Sequence, residues 1–326
     1  MGGVDTAMRQ ASDVETGIGR TDFERDGCAA LEGYFAPHQV DRLASAVQRL
    51  LAKRPNEIVV DSLQTGRRTF WAQAANPLTR QFKFNDLYLM SQELRELALD
   101  CGLTQILGEV LGEPAVLCNS LNFEKGSSQP MHIDSLYMTP RTPHSLIATW
   151  IALEDVHPDA GPLVYYPGSH RIPLYTFNDG THHATHEEGA DWFDYIDVQI
   201  RLRGLKERTF LARKGDVFIW HADLVHGGSP ILDHGRTRGS MVCHYFSESD
   251  CLARGTDLVP LNGGYWAHRL PQPVTVDPAA FGPGSPFPEE TYLRRHPDVR
   301  EAVEARLCPS GEYHYREFGF REGRGV

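Results

Sequence analysis

Two stretches decide how this chain is built: residues 129–135, QPMHIDS, and residues 220–230, WHADLVHGGSP. His132 and Asp134 are two residues apart, so on a β-strand their side chains would point to the same face. Two histidines and one carboxylate cover one face of an octahedral metal ion, a pattern typical of non-haem Fe(II) sites. The third ligand, His226, lies far along the chain, and only a closed or sandwiched sheet would bring it near. The triad therefore predicts both a metal centre and a β fold.

The bulk composition is that of an ordinary globular protein. With 326 residues and 36.5 kDa, the chain can bury one large core, or one core and a small appendage. The formal net charge of −11 argues against a general binder of nucleic acids or anionic membranes, because such proteins carry basic surfaces. We therefore expect a small-molecule substrate, with neither nucleic acid nor membrane as a partner.

Cysteine usage and the N-terminal residues predict the compartment. The cysteines are scattered and form no Cys-x-x-Cys pair, which favours free thiols in a reducing, cytoplasmic environment and a metal held by nitrogen and oxygen. Residues 1–20 lack the apolar core of a signal peptide and read as a disordered leader. No apolar run approaches the length of a membrane span. The cysteines are Cys28, Cys101, Cys118, Cys243, Cys251 and Cys308.

The secondary structure that the sequence predicts changes along the chain. Residues 23–55 predict a short strand, a turn and an amphipathic helix whose apolar spacing comes from Val40, Leu43, Val47 and Leu50. Residues 91–112 predict two helices that break near Gly102 and stop at Gly112. From residue 115 to 246, short β-like runs alternate with Gly and Pro, which is typical of a sandwich or barrel. We predict one catalytic domain over residues 21–268.

Three segments stand apart from this pattern. Residues 175–208 form a long insert that contains NDGTHHATHEEGADW; its polar composition predicts little apolar surface for packing and favours a lid. Its histidines, His182, His183 and His186, lack the partner spacing of a second metal site. Residues 269–290 are rich in Pro and Gly and predict a linker. Residues 291–326 predict a small helical appendage, of a kind seen on bacterial proteins, that would contact a second copy of the chain or another partner.

Two arginines after the last ligand suggest how a second anion would bind. Fe(II) brings two positive charges, of which Asp134 offsets one, and a 2-oxo acid dianion would leave a net charge of minus one. An arginine one strand further would restore the balance, and its planar fork matches a carboxylate. Arg236 and Arg238 both lie in that window, and from the residues alone either could serve.

The order of several motifs points to a known family. They are FERDGCAALEGYF at 23–35, NSLNFEKGSSQPMHIDS at 119–135, TWIALEDVHPDAGPLVYYPGSHR at 149–171, KGDVFIWHADLVHGGSP at 214–230 and RTRGSMVCHYF at 236–246. In this order they resemble the phytanoyl-CoA dioxygenase family of Fe(II)/2-oxoglutarate-dependent oxygenases. No single motif would carry the resemblance, but the ordered set is specific to it.

The resemblance implies a fold and a set of ligands. The fold would be a double-stranded β-helix, or jelly roll, flanked by helices, with Fe(II) on His132, Asp134 and His226. Counting back from CHYF implies that Arg238 anchors 2-oxoglutarate, with Arg236 in reserve because the interval from His226 is one residue long. Further cosubstrate contacts implied by position are Asn122, Trp150 and Ser229, which follows Gly228 where many members carry serine.

The resemblance also implies the reaction. O2 and 2-oxoglutarate would be consumed, succinate and CO2 released, and a C–H bond of a metabolite oxidised, with ascorbate as a reductant in assays. Candidates for the substrate pocket are Gln129, Tyr137 and Arg171. One alternative is a redox-inert, cupin-like metal enzyme or binding protein that uses the same triad. A halogenase would need the carboxylate ligand replaced, and Asp134 is present. The substrate itself stays open.

Overall fold

The computed structural model describes residues 20–55, 57–74, 81–184, 188–283 and 286–326. The predicted leader lies outside these residues, apart from Arg20, where the first helix begins. No helix in the described part of the chain is long and apolar enough to cross a membrane.

The described residues form nine α-helices and thirteen β-strands, together with short 3-10 turns and one π-helical turn, Tyr315–Gly319. The helices are α1 (Arg20–Asp26), α2 (Pro37–Ala52), α3 (Gln92–Ala98), α4 (Cys101–Leu111), α5 (Gly189–Leu202), α6 (Glu248–Leu252), α7 (Glu289–Arg295), α8 (Pro297–Glu304) and α9 (Gly311–His314). The strands are β1 (Cys28–Leu31), β2 (Val59–Ser62), β3 (Arg68–Phe70), β4 (Phe82–Asn85), β5 (Ala115–Phe123), β6 (Leu146–Ala152), β7 (Leu163–Tyr165), β8 (Arg208–Phe210), β9 (Val217–His221), β10 (His226–Gly228), β11 (Ser240–Ser247), β12 (Asp257–Leu261) and β13 (Gly264–His268).

The strands form two sheets, and nearly all neighbours are antiparallel. Within the described ranges, the larger sheet has the order β1-β9-β6-β11-β5-β4-β2-β3, and β13 joins it as a parallel neighbour of β5 with β12 beside it. The smaller sheet has the order β10-β7-β8. The prediction of a mainly antiparallel β fold with flanking helices is confirmed.

The two faces of the larger sheet pack against different layers. On one face, Met241 lies opposite Ile151 and joins a core built with α2, α3 and α4. On the other face, Trp150 and Phe218 are cross-strand partners and pack with Leu163 of the smaller sheet. Because side chains alternate between the two faces along a strand, each strand contributes side chains to both cores. The metal ligands belong to the layer between the two sheets.

The helices that cover the outer face follow their sequence signals closely. Helix α2 buries Val40 and Leu43. The break between α3 and α4 falls at residues 99 and 100, slightly before the predicted position near Gly102, because the side chain of Asp100 accepts hydrogen bonds from the first backbone N–H groups of α4. Gly112 ends α4 with φ 75°, a left-handed conformation that glycine adopts without strain.

The insert at 175–208 contains a packed helix, which corrects the expectation that it has little apolar surface. Helix α5 buries Trp192 and Ile196, which lie one turn apart and pack with Ile133 and Leu136 beside the metal ligands. A short apolar stripe therefore fixes this half of the insert, although the preceding residues are polar.

Residues 269–290, predicted as a linker, also carry buried side chains. Val274, Val276 and Phe281 form a cluster with the C-terminal helices, and Val59 of β2 and Phe70 of β3 join it. The backbones of Val274 and Val326 exchange two hydrogen bonds. The apolar residues between the prolines supply packing surface, so the segment and the C-terminal helices pack on the edge of the larger sheet.

Candidate metal centre

The backbone brings the three predicted ligands together at one edge of the smaller sheet. His132 and His226 form an isolated antiparallel bridge, with N···O distances of 2.8 and 2.9 Å. Asp134 begins a 3-10 turn, and its N–H donates to the carbonyl of Ala222 at 2.8 Å. The expectation that His132 and Asp134 share a regular strand is therefore wrong for Asp134, which the turn redirects toward the same point.

The three side chains converge on a small buried space. Nε2 of His132 lies 3.8 Å from Oδ1 of Asp134, and Nε2 of His226 lies 3.7 Å from the same oxygen. One ligand atom from each residue lies within 4.8 Å of the other two, and all three residues are buried. Two nitrogens and one oxygen at this separation suit a single divalent cation.

Backbone carbonyls orient both imidazoles for metal binding. Nδ1 of His132 donates to the carbonyl of Pro130 and Nδ1 of His226 to the carbonyl of Leu224, each at 2.9 Å. Each Nε2 therefore keeps its lone pair. Burial, helped by the neighbouring His226, lowers the pKa of His132 to about 3, so this ring is neutral, as a metal ligand must be. The chemistry of the donor set fits Fe(II).

Asp134 is held by neighbours that leave one oxygen for the metal. Trp220 Nε1 donates to Oδ2 of Asp134 at 2.8 Å, and Nε2 of His244 lies 3.4 Å from the same oxygen. Burial alone would raise the pKa of Asp134, but the imidazoles of His226 and His244 bring it well below its usual value. The carboxylate is therefore ionised, with Oδ1 facing the two histidines.

A buried cation that forms no ion pair with any described residue lies in the same cavity. Arg238 is 3 % exposed, and its Nη1 donates to the carbonyl of Gly161 at 2.9 Å, while its Nε has no partner among the described residues. Burial lowers the pKa of Arg238 to about 10, so the guanidinium stays charged near neutral pH. The indole N–H of Trp150, which also lines the cavity, is buried without an acceptor. These donors fit the carboxylate of a 2-oxo acid.

Three residues predicted for the site lie elsewhere. The side chain of Arg236 is 44 % exposed and is paired with Asp233 at 3.1 Å. Ser229 Oγ donates to the carbonyl of Pro162 at 3.1 Å and does not line the metal cavity. Arg171 is exposed and donates to the carbonyl of Arg25 in α1. The structure therefore separates these residues from the ligands.

Asn122 is on the wrong side of the sheet to contact a cosubstrate at the metal. Its cross-strand partners are Met241 and Phe84, which belong to the core under the helices. The adjacent Leu121 and Phe123 point to the opposite face and line the metal cavity. Side chains alternate between the two faces of the sheet along β5, and this alternation places Asn122 on the face away from the metal. The sequence NSLNF alone does not show which of its residues face the metal.

Two predicted pocket residues do lie beside the triad. Gln129 Nε2 donates to Nε2 of His132 at 3.1 Å, so the amide occupies the lone pair that a metal would take, and it must turn aside when a metal binds. The ring of Tyr137 has its centroid 6.0 Å from that of His132 and is 58 % exposed. Gln129 therefore lies inside the cavity and Tyr137 at its mouth.

Sequence reasoning did not single out Ser127 or Trp220, which line the cavity, whereas it predicted His244 as a strand residue or a neighbour of the ligands. A Cβ atom on Gly228 would lie 2.6 Å from Oγ of Ser127 and 2.9 Å from the backbone N of Ser128. Gly228 is therefore required by this close approach, and the hydroxyl of Ser127 takes the space beside it. Nothing in the local sequence links Ser127 to Gly228, so the signal was absent.

The insert histidines are used in ordinary hydrogen bonds. Nδ1 of His182 donates to the carbonyl of Tyr175 at 2.8 Å, and Nδ1 of His183 lies 3.2 Å from Oγ1 of Thr139. His186 lies outside the described residues. In the ranges that the structure describes, neither His182 nor His183 belongs to a group that could hold a metal.

A second histidine group, His144, His221 and Asp223, also has its ligand atoms close together. The backbone N–H of Asp223 donates to Nδ1 of His221 at 3.0 Å, so the proton of this ring is on Nε2, which faces Nδ1 of His144 at 2.9 Å. His221 has no lone pair left for a metal. The group is a hydrogen-bonded pair of rings rather than a second metal centre.

Comparison with known proteins identifies the family. The family model described as phytanoyl-CoA dioxygenase (PhyH) matches residues 23–238, which is more than half of the chain. The peroxisomal phytanoyl-CoA dioxygenase of Bos taurus is 28% identical over 241 residues, which cover 70% of this chain and 67% of that protein. The ectoine dioxygenase of Nocardia farcinica is 23% identical over 224 residues, 64% of this chain and 70% of that protein.

Solved structures show the same fold. The carbocyclase SnoK from nogalamycin biosynthesis, described as non-heme and alpha-ketoglutarate dependent, matches with a TM-score of 0.54 and 20% identity over 81% of this chain and 96% of its own. EctD from S. alaskensis with bound Fe matches with a TM-score of 0.52 and 19% identity over 71% of this chain and 76% of its own. The predicted jelly roll is confirmed. With the family model spanning the triad and reaching Arg238, the chain belongs to the phytanoyl-CoA dioxygenase family of non-haem iron, 2-oxoglutarate-dependent oxygenases.

Proposed function

We propose that the protein hydroxylates a C–H bond of a small polar metabolite and releases succinate and CO2. The observation that carries this proposal is Arg238, a buried guanidinium that opens into the metal cavity and has an unpaired Nε. A buried charge without a partner is costly, and the carboxylate of 2-oxoglutarate would offset that cost. When bound, Fe(II) and 2-oxoglutarate supply the oxidising chemistry with O2.

The residues of the chain would hold and shield these groups. His132, Asp134 and His226 would bind the metal, while Trp220 and His244 keep the carboxylate of Asp134 in place. The guanidinium of Arg238 would bind the cosubstrate carboxylate with its fork of N–H donors. The indole N–H of Trp150 would donate one further hydrogen bond to it. Apolar side chains complete the wall and exclude water from the reacting atoms. They are Leu121, Phe123, Leu163 and Val242.

A polar cleft beside the cavity favours a polar metabolite as the substrate. The cleft has a volume of about 440 Å³ and shares Ser127 and Gln129 with the metal cavity. Its walls carry Arg68, Lys83 and Asp61, with Asp61 bound to Arg68 at 2.7 Å and to Lys83 at 3.1 Å. Two cations around one carboxylate leave a net charge of plus one. This cleft suits a charged or zwitterionic molecule better than a long apolar chain.

The redox-inert alternative has less support. A metal protein without a 2-oxo acid cosubstrate would use the triad but leave the guanidinium of Arg238 buried without an anion. The unpaired charge therefore favours the oxygenase over a cupin-like isomerase or binding protein.

Anaerobic titration with Fe(II) and 2-oxoglutarate tests the proposal. The wild type should develop a charge-transfer absorbance band, and His226→Ala should lose it, because one nitrogen ligand is removed. His157→Ala, a change at a half-exposed histidine, is the matched control and should keep the band. Screening metabolite pools for succinate release with O2 and ascorbate would then identify the substrate. An unchanged band in His226→Ala would rule out the triad.

A further inference from the structure

A large cavity lies on the opposite face of the main sheet from the metal. It has a volume of about 730 Å³, within the range of cavities that bind small molecules. Helix α2 forms one wall, and the strands β4 and β5 form the other. The apolar side chains that line it include Val47, Leu51, Trp71, Phe82 and Phe84.

Asn122 projects into this cavity, and its amide forms no hydrogen bond with any described residue. The residue is 3 % exposed, and both its amide nitrogen and its amide oxygen are buried and unpaired. Gln81 also lines the cavity, and its buried Nε2 has no acceptor in the part of the chain that the structure describes. Buried amides are almost always satisfied, so a donor and acceptor pair left open on an apolar wall indicates a ligand with complementary groups.

The charged groups at the rim are already engaged. Arg54 donates to the carbonyls of Trp71 and Ala74, each at 2.7 Å, and Lys125 donates to the carbonyl of His234 at 2.5 Å. Glu154 accepts from Thr237 Oγ1 at 2.8 Å and from the backbone N–H of Gly239. The polar groups of the cavity that remain open are therefore the neutral amides of Asn122 and Gln81, and a ligand that pairs with them should itself be neutral.

The cavity also lies directly behind the arginine assigned to the cosubstrate. Thr237 and Gly239 line it, and Arg238 between them faces the metal. The backbone N–H of Arg238 donates to the carbonyl of Glu124 at 2.8 Å, and Glu124 is a cavity residue. The two cavities therefore share strand segments but no polar side chain.

We infer that this cavity is a second small-molecule site, which binds a neutral amphipathic molecule. Its apolar body would pack against Val47, Phe82 and Phe84, and a primary amide or a similar group would pair with the amide of Asn122. The site is separate from the metal centre and does not depend on the reaction proposed above.

Calorimetric titration with octanamide tests this inference. Wild type should bind it saturably at one molecule per chain, and the sodium salt of octanoic acid at least tenfold more weakly. Asn122→Leu should weaken octanamide binding at least tenfold while an apolar probe of similar size, butylbenzene, binds as well as before. Gln81→Leu should weaken octanamide binding by a smaller factor. His226→Ala should bind octanamide like the wild type, since the metal ligands lie on the other face.

The opposing outcomes are distinct. No saturable binding of octanamide to the wild type would overturn the inference and leave water as the partner of Asn122. Unchanged octanamide affinity in Asn122→Leu, with the variant folded by circular dichroism, would do the same. If Asn122→Leu does not fold, Val47→Trp provides the test: the larger side chain fills the cavity and should abolish binding of both octanamide and butylbenzene, and retained binding would overturn the inference.

Discussion

Arg236 and Arg238 are two residues apart, yet their side chains have opposite surroundings. Arg236 pairs with Asp233 in solvent, whereas Arg238 is buried over the ring of Trp150, with its guanidinium carbon 5.6 Å from the ring centroid. The backbone between them is not a regular strand, because β11 begins only at Ser240. The rule that strand residues two apart point to the same face therefore does not apply here. Arg236 carries a surface charge, and Arg238 carries a charge inside the metal cavity.

At the scale of single residues, we expect Arg238→Ala to weaken the binding of 2-oxoglutarate but not that of Fe(II). Removing one partner of a buried charge pair costs roughly 2–5 kcal/mol, which corresponds to a rise of orders of magnitude in the 2-oxoglutarate concentration required. Fe(II) should still bind, because the triad is untouched. Titration of the charge-transfer band with 2-oxoglutarate measures this. Arg236→Ala is the matched control and should behave like the wild type; a large effect there would reverse the assignment.

At the scale of elements, helix α5 ties the insert to the metal centre. Trp192 and Ile196 pack in one cluster with Ile133 and Leu136, which flank Asp134. The helix therefore supports the turn that orients this ligand. Its other face is exposed, with Phe193 44 % accessible. The role of the insert as a substrate-gating lid stays a prediction.

Trp192→Ala should destabilise the protein and loosen the turn at Asp134. Large-to-small changes at buried aromatic positions cost about 3–5 kcal/mol. Chemical denaturation would measure the loss in unfolding free energy, and iron titration would report a weaker metal affinity. Phe193→Ala, the next residue on the exposed face, should change the unfolding free energy by less than about 0.5 kcal/mol. Equal effects of the two changes would mean that α5 is not docked as described.

At the scale of the whole molecule, the C-terminal region is coupled to the site through a buried polar chain. Arg269 is bound to Asp86 at 2.8 Å, and Asp86 accepts from Nδ2 of Asn119 at 2.9 Å. Nδ1 of His244 lies 3.0 Å from Oδ1 of Asn119, and Nε2 of His244 faces Asp134. This chain of contacts therefore connects Arg269 to Asp134, a metal ligand that is distant from it in sequence.

Arg269→Met should leave the carboxylate of Asp86 buried without its cation. Breaking a buried pair in this way costs about 3–5 kcal/mol, so we expect a clear drop in thermal stability together with weaker Fe(II) binding. Arg294→Met, at an exposed position of α7, is the control and should change neither quantity. Differential scanning calorimetry and iron titration measure both; a stability loss with unchanged iron affinity would limit the chain of contacts to a structural role.

The sequence by itself determined the class of fold, the triad and the candidate arginines. These follow from local patterns: the alternation of strand residues, the His-x-Asp pair with a later His, and an ordered set of motifs. Helix α2 and the end of α4 at Gly112 were predictable for the same reason. The spacing of apolar residues along a helix and a glycine after its last turn are both visible in neighbouring residues of the sequence.

Only the tertiary structure decided which face each side chain occupies. Asn122 and Trp150 both lie on central strands, yet one faces the helices and the other the metal, because the packing of the layers sets this. The contacts of Trp220 and His244 with Asp134, and of Ser127 with Gly228, join residues that are far apart in sequence. Burial and pairing are properties of neighbours in space, and those neighbours exist only once the sheets have packed.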